Sequence, residues 1–202
     1  MRIGLGARLC PRGGIITRFK FSIWLFALAL AVFCLPHPVM AADQHSQVGL
    51  AACGGSPRAC AHVVLDLLNA DRAKNHRGPL HLKLVQSMGM ASCPGSIGHS
   101  IAMAASGSTW HQNVHYPRAS FPRNVCVPFH HAAENVGMAF TGDTMTDLRV
   151  MDQLMMTEPH SASICGYAVN HACNELGPAF RQVGIGVESI NGGTWLTEDF
   201  LG

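Results

Sequence analysis

Hydrophobic positions follow three different patterns along the chain. The first is unbroken: Phe21 to Leu35, FSIWLFALALAVFCL, comes after five basic residues. The second has helical period. Between His62 and Lys74, Val63, Leu67 and Ala70 share a face, with Val64, Leu68 and Arg72 beside it, and Arg77-Gly78-Pro79 breaks the run. Leu80 to Met90 fits two patterns, since HLKLV alternates like a strand and LVQSMGMA has the spacing of a short helix. Ser92 to Gly98 is a break, after which Ile101 to Ala105 predict a helix from His99 that Gly107 can stop. Asn113 to Pro128 is loop-like. Leu148, Met151, Leu154 and Met155 form the apolar stripe of a helix capped by Thr144, with Asp147 three residues on, that ends near Glu158-Pro159-His160. Ser161 to Pro178 is a long loop. The third pattern has period two: Val183, Ile185 and Val187 share one strand face, while Gly184 and Gly186 leave the other bare for a close-lying backbone or ligand. Asn191-Gly192-Gly193 is a hairpin turn, and Thr194 to Phe200 returns as the partner strand. Helices first and a closing hairpin argue for a layered α+β domain.

The first apolar run has fifteen residues, fewer than the roughly 20 that span a membrane as a helix. Val39-Met40-Ala41 then fits the small-x-small rule for cleavage. Residues 1–41 are therefore expected to be a secretory signal peptide, residues 42–61 an N-terminal segment with a disulfide loop, and residues 62–202 the folded domain. An uncleaved anchor is the alternative. Secretion to the medium and to the periplasm follow equally from such a signal. Cleavage changes the charge, because five of the fourteen basic residues and no acid lie in 1–41. The remainder is net negative and carries no mark of a nucleic-acid surface. Six cysteines remain, which allow fifteen pairings. The expected set is two local loops, Cys53–Cys60 and Cys165–Cys173, and one longer link, Cys93–Cys126; sequence by itself proves none of them.

Histidine is abundant, and His76, His81, His115 and His171 fall in polar loops that suggest no special role. The informative set is His111, Glu134, Glu158 and His160. These residue types are accepted by zinc and serve equally in proton transfer. Glu134 lies in a small, apolar stretch, and a buried carboxylate needs a partner. Neither G-x-S-x-G nor H-E-x-x-H is present.

From Val63 to Gly202 the chain resembles the bacterial branch of the CAP superfamily, the SCP-like extracellular proteins. The opening leucine-asparagine-x-x-arginine helix is matched by Leu68-Asn69 and Arg72. H-S-x-x-M-A-x-x-G-x-x-x-H is matched from His99 to His111. G-E-N-I appears as Ala133-Glu134-Asn135-Val136. W-x-x-S-P-G-H-R-x-N-I-L is degraded at Met155 to Cys165, with Met155 for the tryptophan, no glycine before His160, and Ser161 for the arginine. F-x-x-I-G-V-G-V is Phe180 to Val187, and W-T-Q-x-F-G is close to Trp195-Leu196-Thr197-Glu198-Asp199-Phe200. The resemblance implies a three-layer α-β-α sandwich with a central antiparallel sheet. It also implies a cavity lined by two histidines and two acids, here His111, Glu134, Glu158 and His160, that takes a divalent cation. Zinc on His111 and His160 is the expected cofactor. The segment from Pro79 to His99 is longer than the pattern and holds Cys93.

Three readings follow. The first is a secreted, non-enzymatic binding module for a small hydrophobic ligand or a cell-envelope component, with no nucleic-acid partner and no membrane span once the signal is removed. The second is a hydrolase, with His111 or His160 as general base. The third is a polar core in which these side chains only satisfy one another.

Overall fold

The computed structural model describes residues 53, 55–111, 125–165 and 170–202. The expected signal peptide, most of the segment that follows it, and most of the loop holding Pro117 and Pro122 lie outside the described residues. Helix α1, Pro57–Lys74, starts earlier than its hydrophobic period does. Ser56 caps it by accepting a hydrogen bond from the Ala59 amide, and Pro57 occupies the first turn, where no amide donor is needed. The buried stripe is Cys60, Ala61, Val64, Leu68, Asp71 and Arg72, the second of the two faces read from sequence. Asn69 and Arg72 fix the exit of the helix. Asn69 Nδ2 donates to the Leu80 carbonyl and its Oδ1 accepts from the Leu80 amide, while Arg72 Nε donates to the Gly78 carbonyl at 2.7 Å.

Both patterns in the ambiguous stretch are used: His81–Leu82 is strand β1 and Leu84–Met88 is helix α2. Helix α3, Gly95–Ser106, begins inside the supposed break and stops at Gly107, which takes the left-handed conformation at φ +66°. Strand β2, Ala132–Ala139, leads to helix α4, Thr144–Met156. The cap of α4 is Asp143, which accepts from the Thr146 amide, and Thr144 is already helical. Asp147 has another task, accepting from the Thr141 amide and the Thr194 hydroxyl. The supposed long loop contains two short helices, α5 (Ala162–Cys165) and α6 (His171–Glu175). Strands β3, Gln182–Ile190, and β4, Gly193–Leu201, are joined through Asn191 and Gly192, both at positive φ.

The sheet order is β1-β3-β4-β2. The three long strands are antiparallel, as expected. The two-residue β1 pairs parallel to β3, so the whole sheet is mixed. On one face Val183, Ile185, Val187, Leu196 and Phe200 pack with Val64 and Leu68 of α1 and Leu148, Met151 and Met155 of α4. On the other face the contacts are polar. Ser96 Oγ and Gln86 Nε2 donate to Asp199 Oδ2, and Ser100 Oγ lies 2.9 Å from both the Gly186 carbonyl and Thr197 Oγ1. Gly184 and Gly186 permit this approach: a Cβ on Gly186 would lie 2.2 Å from the Ser96 carbonyl carbon. The three expected disulfides, Cys53–Cys60, Cys93–Cys126 and Cys165–Cys173, are all formed. No helix of the described residues is long and apolar enough to cross a membrane.

Candidate functional site

The site lies along β2, which is an edge strand of the sheet. Alternation along β2 turns Glu134 away from its neighbour Asn135, toward the histidines at the two ends of the His99–His111 segment. His99 is fully buried on α3 with Nδ1 3.0 Å from Glu134 Oε2. Beyond the Gly107 stop the chain returns, and His111 Nδ1 lies 3.0 Å from Glu134 Oε1. Trp110, between them, sets its ring edge-on to His99 at 5.6 Å. Burial pushes the Glu134 carboxyl up, but the bonds from His111 and His99 outweigh it and hold the group below its ordinary value. The same bond to Glu134 raises His111.

A second acid–imidazole pair stands beside the first. Glu158, just past α4, faces His171 at the start of α6. His171 Nδ1 is 2.8 Å from Glu158 Oε1, and the His171 amide donates to Glu158 Oε2 at 2.7 Å. Burial raises the Glu158 carboxyl, and the two bonds from His171 bring it below its ordinary value. The rings of His111 and His171 are stacked, with centroids 6.4 Å apart. Asn174 Nδ2 donates to the Glu134 carbonyl and to Asn135 Oδ1, which ties α6 to β2. The Cys165–Cys173 disulfide and the Asn170 cap, bonded to the Cys173 amide, fix the helix that carries His171.

Of the four expected residues, the structure brings His111 and Glu134 into direct contact and adds Glu158 through His171. His160 turns elsewhere: its Nδ1 lies 2.6 Å from the Glu158 carbonyl oxygen, within its own turn. His111 and His160 are therefore not the histidines that face each other, and His171 is more than a polar-loop histidine. The signal for it was in the chain. His171-Ala172-Cys173-Asn174-Glu175-Leu176 keeps the histidine, asparagine and leucine of H-R-x-N-I-L at their spacing, directly ahead of the Phe180 strand. His99 also belongs to the site, as the second imidazole on Glu134.

Each facing imidazole has Nδ1 held by a carboxylate. This is the usual support for a histidine that offers Nε2 to a metal or a proton. The donor types therefore suit zinc. Among the described residues, however, the three ligand atoms that converge on one point belong to Asp71, Asp152 and Glu175, on the other side of the sheet.

Neither a family model nor a curated protein matches the chain. Solved structures do. One is an extracellular protein containing an SCP domain from Bacillus anthracis str. Ames, with 18% identity over 74% of this chain and a TM-score of 0.51. The match covers 42% of that protein, so this chain spans less than half its length. Another is the structure of NaASP2 with Zn2+, at 11% identity, 69% of this chain, 77% of that one and a TM-score of 0.41. With helices on both faces of a four-stranded sheet and a closing β3–β4 hairpin, the chain has a CAP/SCP-like fold.

Proposed function

We propose that this chain is an exported binding module whose ligand site is formed by His111 and His171, supported by Glu134 and Glu158. One observation carries the reading: two imidazoles, each held through Nδ1 by a carboxylate, face each other at the sheet edge with their side chains 48% and 31% exposed, while the Glu134 side chain is 5% exposed. Charge and orientation are fixed underneath, and the reactive edges are left reachable. Trp110, half-exposed next to His111, offers an apolar wall. This combination suits a small ligand with an apolar body, or a cell-envelope component, and a divalent cation such as zinc on the imidazoles. Export is supported by the apolar N-terminal run and the three disulfides, which persist in oxidising compartments.

A hydrolase is the second reading, because an imidazole oriented by a carboxylate, as His111 is by Glu134, is also the arrangement of a general base. Zinc titration by calorimetry tests the binding reading, on the chain produced with its disulfides and on a His111→Ala/His171→Ala variant. Saturable zinc binding in the wild type, lost in the folded double variant and unchanged by His160→Ala, is expected. Binding that survives the double variant, or depends on His160, overturns the assignment. Turnover of offered esters or peptides that is abolished in His111→Ala favours the hydrolase.

A further inference from the structure

Behind the apolar face of the sheet, three helices bring together a group that neither the site above nor the family pattern uses. Asp71 comes from α1, Asp152 from α4 and Glu175 from α6, and one ligand oxygen from each lies within 4.8 Å of the others. Glu175 is fully buried. Neither of its carboxylate oxygens has a hydrogen-bond partner among the described residues. Arg72 is close but does not serve it: the guanidinium donates to the backbone carbonyls of Gly78, Glu175, Gly177 and Phe180. Lys74 reaches Asp71 at 2.6 Å from an exposed position at the rim. Glu198, also buried, adds its acid nearby and is bonded to Asn135. In the H-R-x-N-I-L pattern carried by His171 to Leu176, Glu175 stands where the pattern has isoleucine. A carboxyl group therefore stands at an apolar position of that pattern, next to two more acids and without a donor among the described residues. A buried carboxyl of that kind is either neutralised by a proton or partnered by a cation.

We propose that Asp71, Asp152 and Glu175 form a calcium site that staples α1, α4 and α6 together. The donors are all carboxylate oxygens, which select a hard cation over zinc. Two oxygens on one calcium ion, at bonds of roughly 2.4 Å, are at most about 4.8 Å apart, and no pair here exceeds that separation. Three side chains from three helices suit calcium's flexible coordination better than magnesium's near-ideal octahedron. The half-buried Asp152 leaves the site a route to water.

The test is calorimetric titration of calcium chloride into the chain, produced with its disulfides formed and stripped with EDTA, together with thermal unfolding with and without calcium. One ion per chain and a higher Tm with calcium are expected. Glu175→Gln and Asp152→Asn should each lose the binding heat and the Tm response, while His111→Ala/His171→Ala keeps both. If Glu175→Gln fails to fold, Asp152→Asn decides. A folded wild-type chain with neither calcium heat nor a Tm response overturns the proposal, as does binding undiminished in a folded Glu175→Gln or Asp152→Asn protein. In either case the three acids are a protonated polar cluster. Loss of binding in the histidine variant alone also overturns it, since the ion would then belong to the other site.

Discussion

Glu134 and Glu175 are almost equally hidden, yet the fold shifts them in opposite directions. Glu134 meets two imidazoles and is held below its ordinary pKa. Glu175 meets acids. Burial first, then Glu198, Asp152 and Asp71, against an opposing Arg72, push it up to about 10. Burial sets the size of the electrostatic problem and the neighbours set its sign. On the edge of the sheet, histidines from distant segments answer a carboxylate. Behind the apolar face, nothing in the described chain answers Glu175 in the same way. The acids of this fold are thus of two kinds, separated by their neighbours.

The largest effect is expected from Glu198, which belongs to the second kind. Burial, then Asp152 and Asp199, push its carboxyl up to about 8, against the opposing hydrogen bond from Asn135. A raised acid stays protonated in the folded chain after the unfolded chain has released its proton. Its share of stability is thus whole below the ordinary value of 4.5 and is lost as pH rises toward 8. Three pH units at 1.36 kcal/mol each set a ceiling on the order of 4 kcal/mol. Urea unfolding at pH 5 and pH 8 should show a steeper fall for the wild type than for Glu198→Gln. Equal falls would mean that Glu198 is not strained by its surroundings.

Glu134→Ala should come next, with a loss on the order of 3 kcal/mol, because it strands the buried His99 as well as releasing His111. Its pH window differs from that of Glu198. The pair contributes fully between the ordinary values of 4.5 and 6.5. The contribution shrinks as pH falls through the lowered Glu134 value and as pH rises through the raised His111 value. A difference between wild type and variant that is flat from pH 4 to 9 would remove the charged pair from the account. Cys165→Ser/Cys173→Ser should follow, with about 2.5 kcal/mol for so short a loop. It should also weaken zinc binding more than Cys53→Ser/Cys60→Ser does, since the first disulfide holds the helix of His171 and the second lies at the far end of α1. Equal zinc affinity in the two variants would detach His171 from the site.

How much of this was legible before folding depends on the range of the interaction. The period-two run of Val183, Ile185 and Val187, the Asn191-Gly192 turn and the Gly107 stop are local features, and each stands where the pattern puts it. Arg72 mixes the two ranges, since it donates to the Gly78 carbonyl six residues on and also to the distant Glu175, Gly177 and Phe180 carbonyls. Gly184 and Gly186 announced a close approach but not its partners, Gln86 of α2 and the start of α3, which lie about ninety to a hundred residues earlier in the chain. His111 and Glu134 were visible through their motifs. For His171 the motif spacing was ambiguous, because two histidines follow Glu158, and which of them turns to it is decided by the Asn170 cap and the Cys165–Cys173 link. Glu175 was hidden for a related reason: on α6 it is one acid in a polar stretch, and only the packing of α1 and α4 against it makes it buried.

The smallest expected effect probes the comparison most directly. Glu175→Ile puts an apolar side chain in place of the least compensated acid. An apolar side chain of similar volume replacing a buried polar group without good partners is often neutral or stabilising. In EDTA, Glu175→Ile should therefore gain about 1 kcal/mol in urea unfolding, measured at pH 7. The equivalent change on the other side of the sheet, Glu134→Leu, should lose stability, because it leaves His99 without its carboxylate. Opposite signs from two similarly buried glutamates would confirm that partners rather than depth separate them. Calcium would then reverse the first sign, since a filled site favours the native carboxylate by an amount that grows with the logarithm of free calcium. If Glu175→Ile is destabilising in EDTA as well, the Glu175 carboxyl is compensated where it stands, and the two glutamates are of the same kind after all.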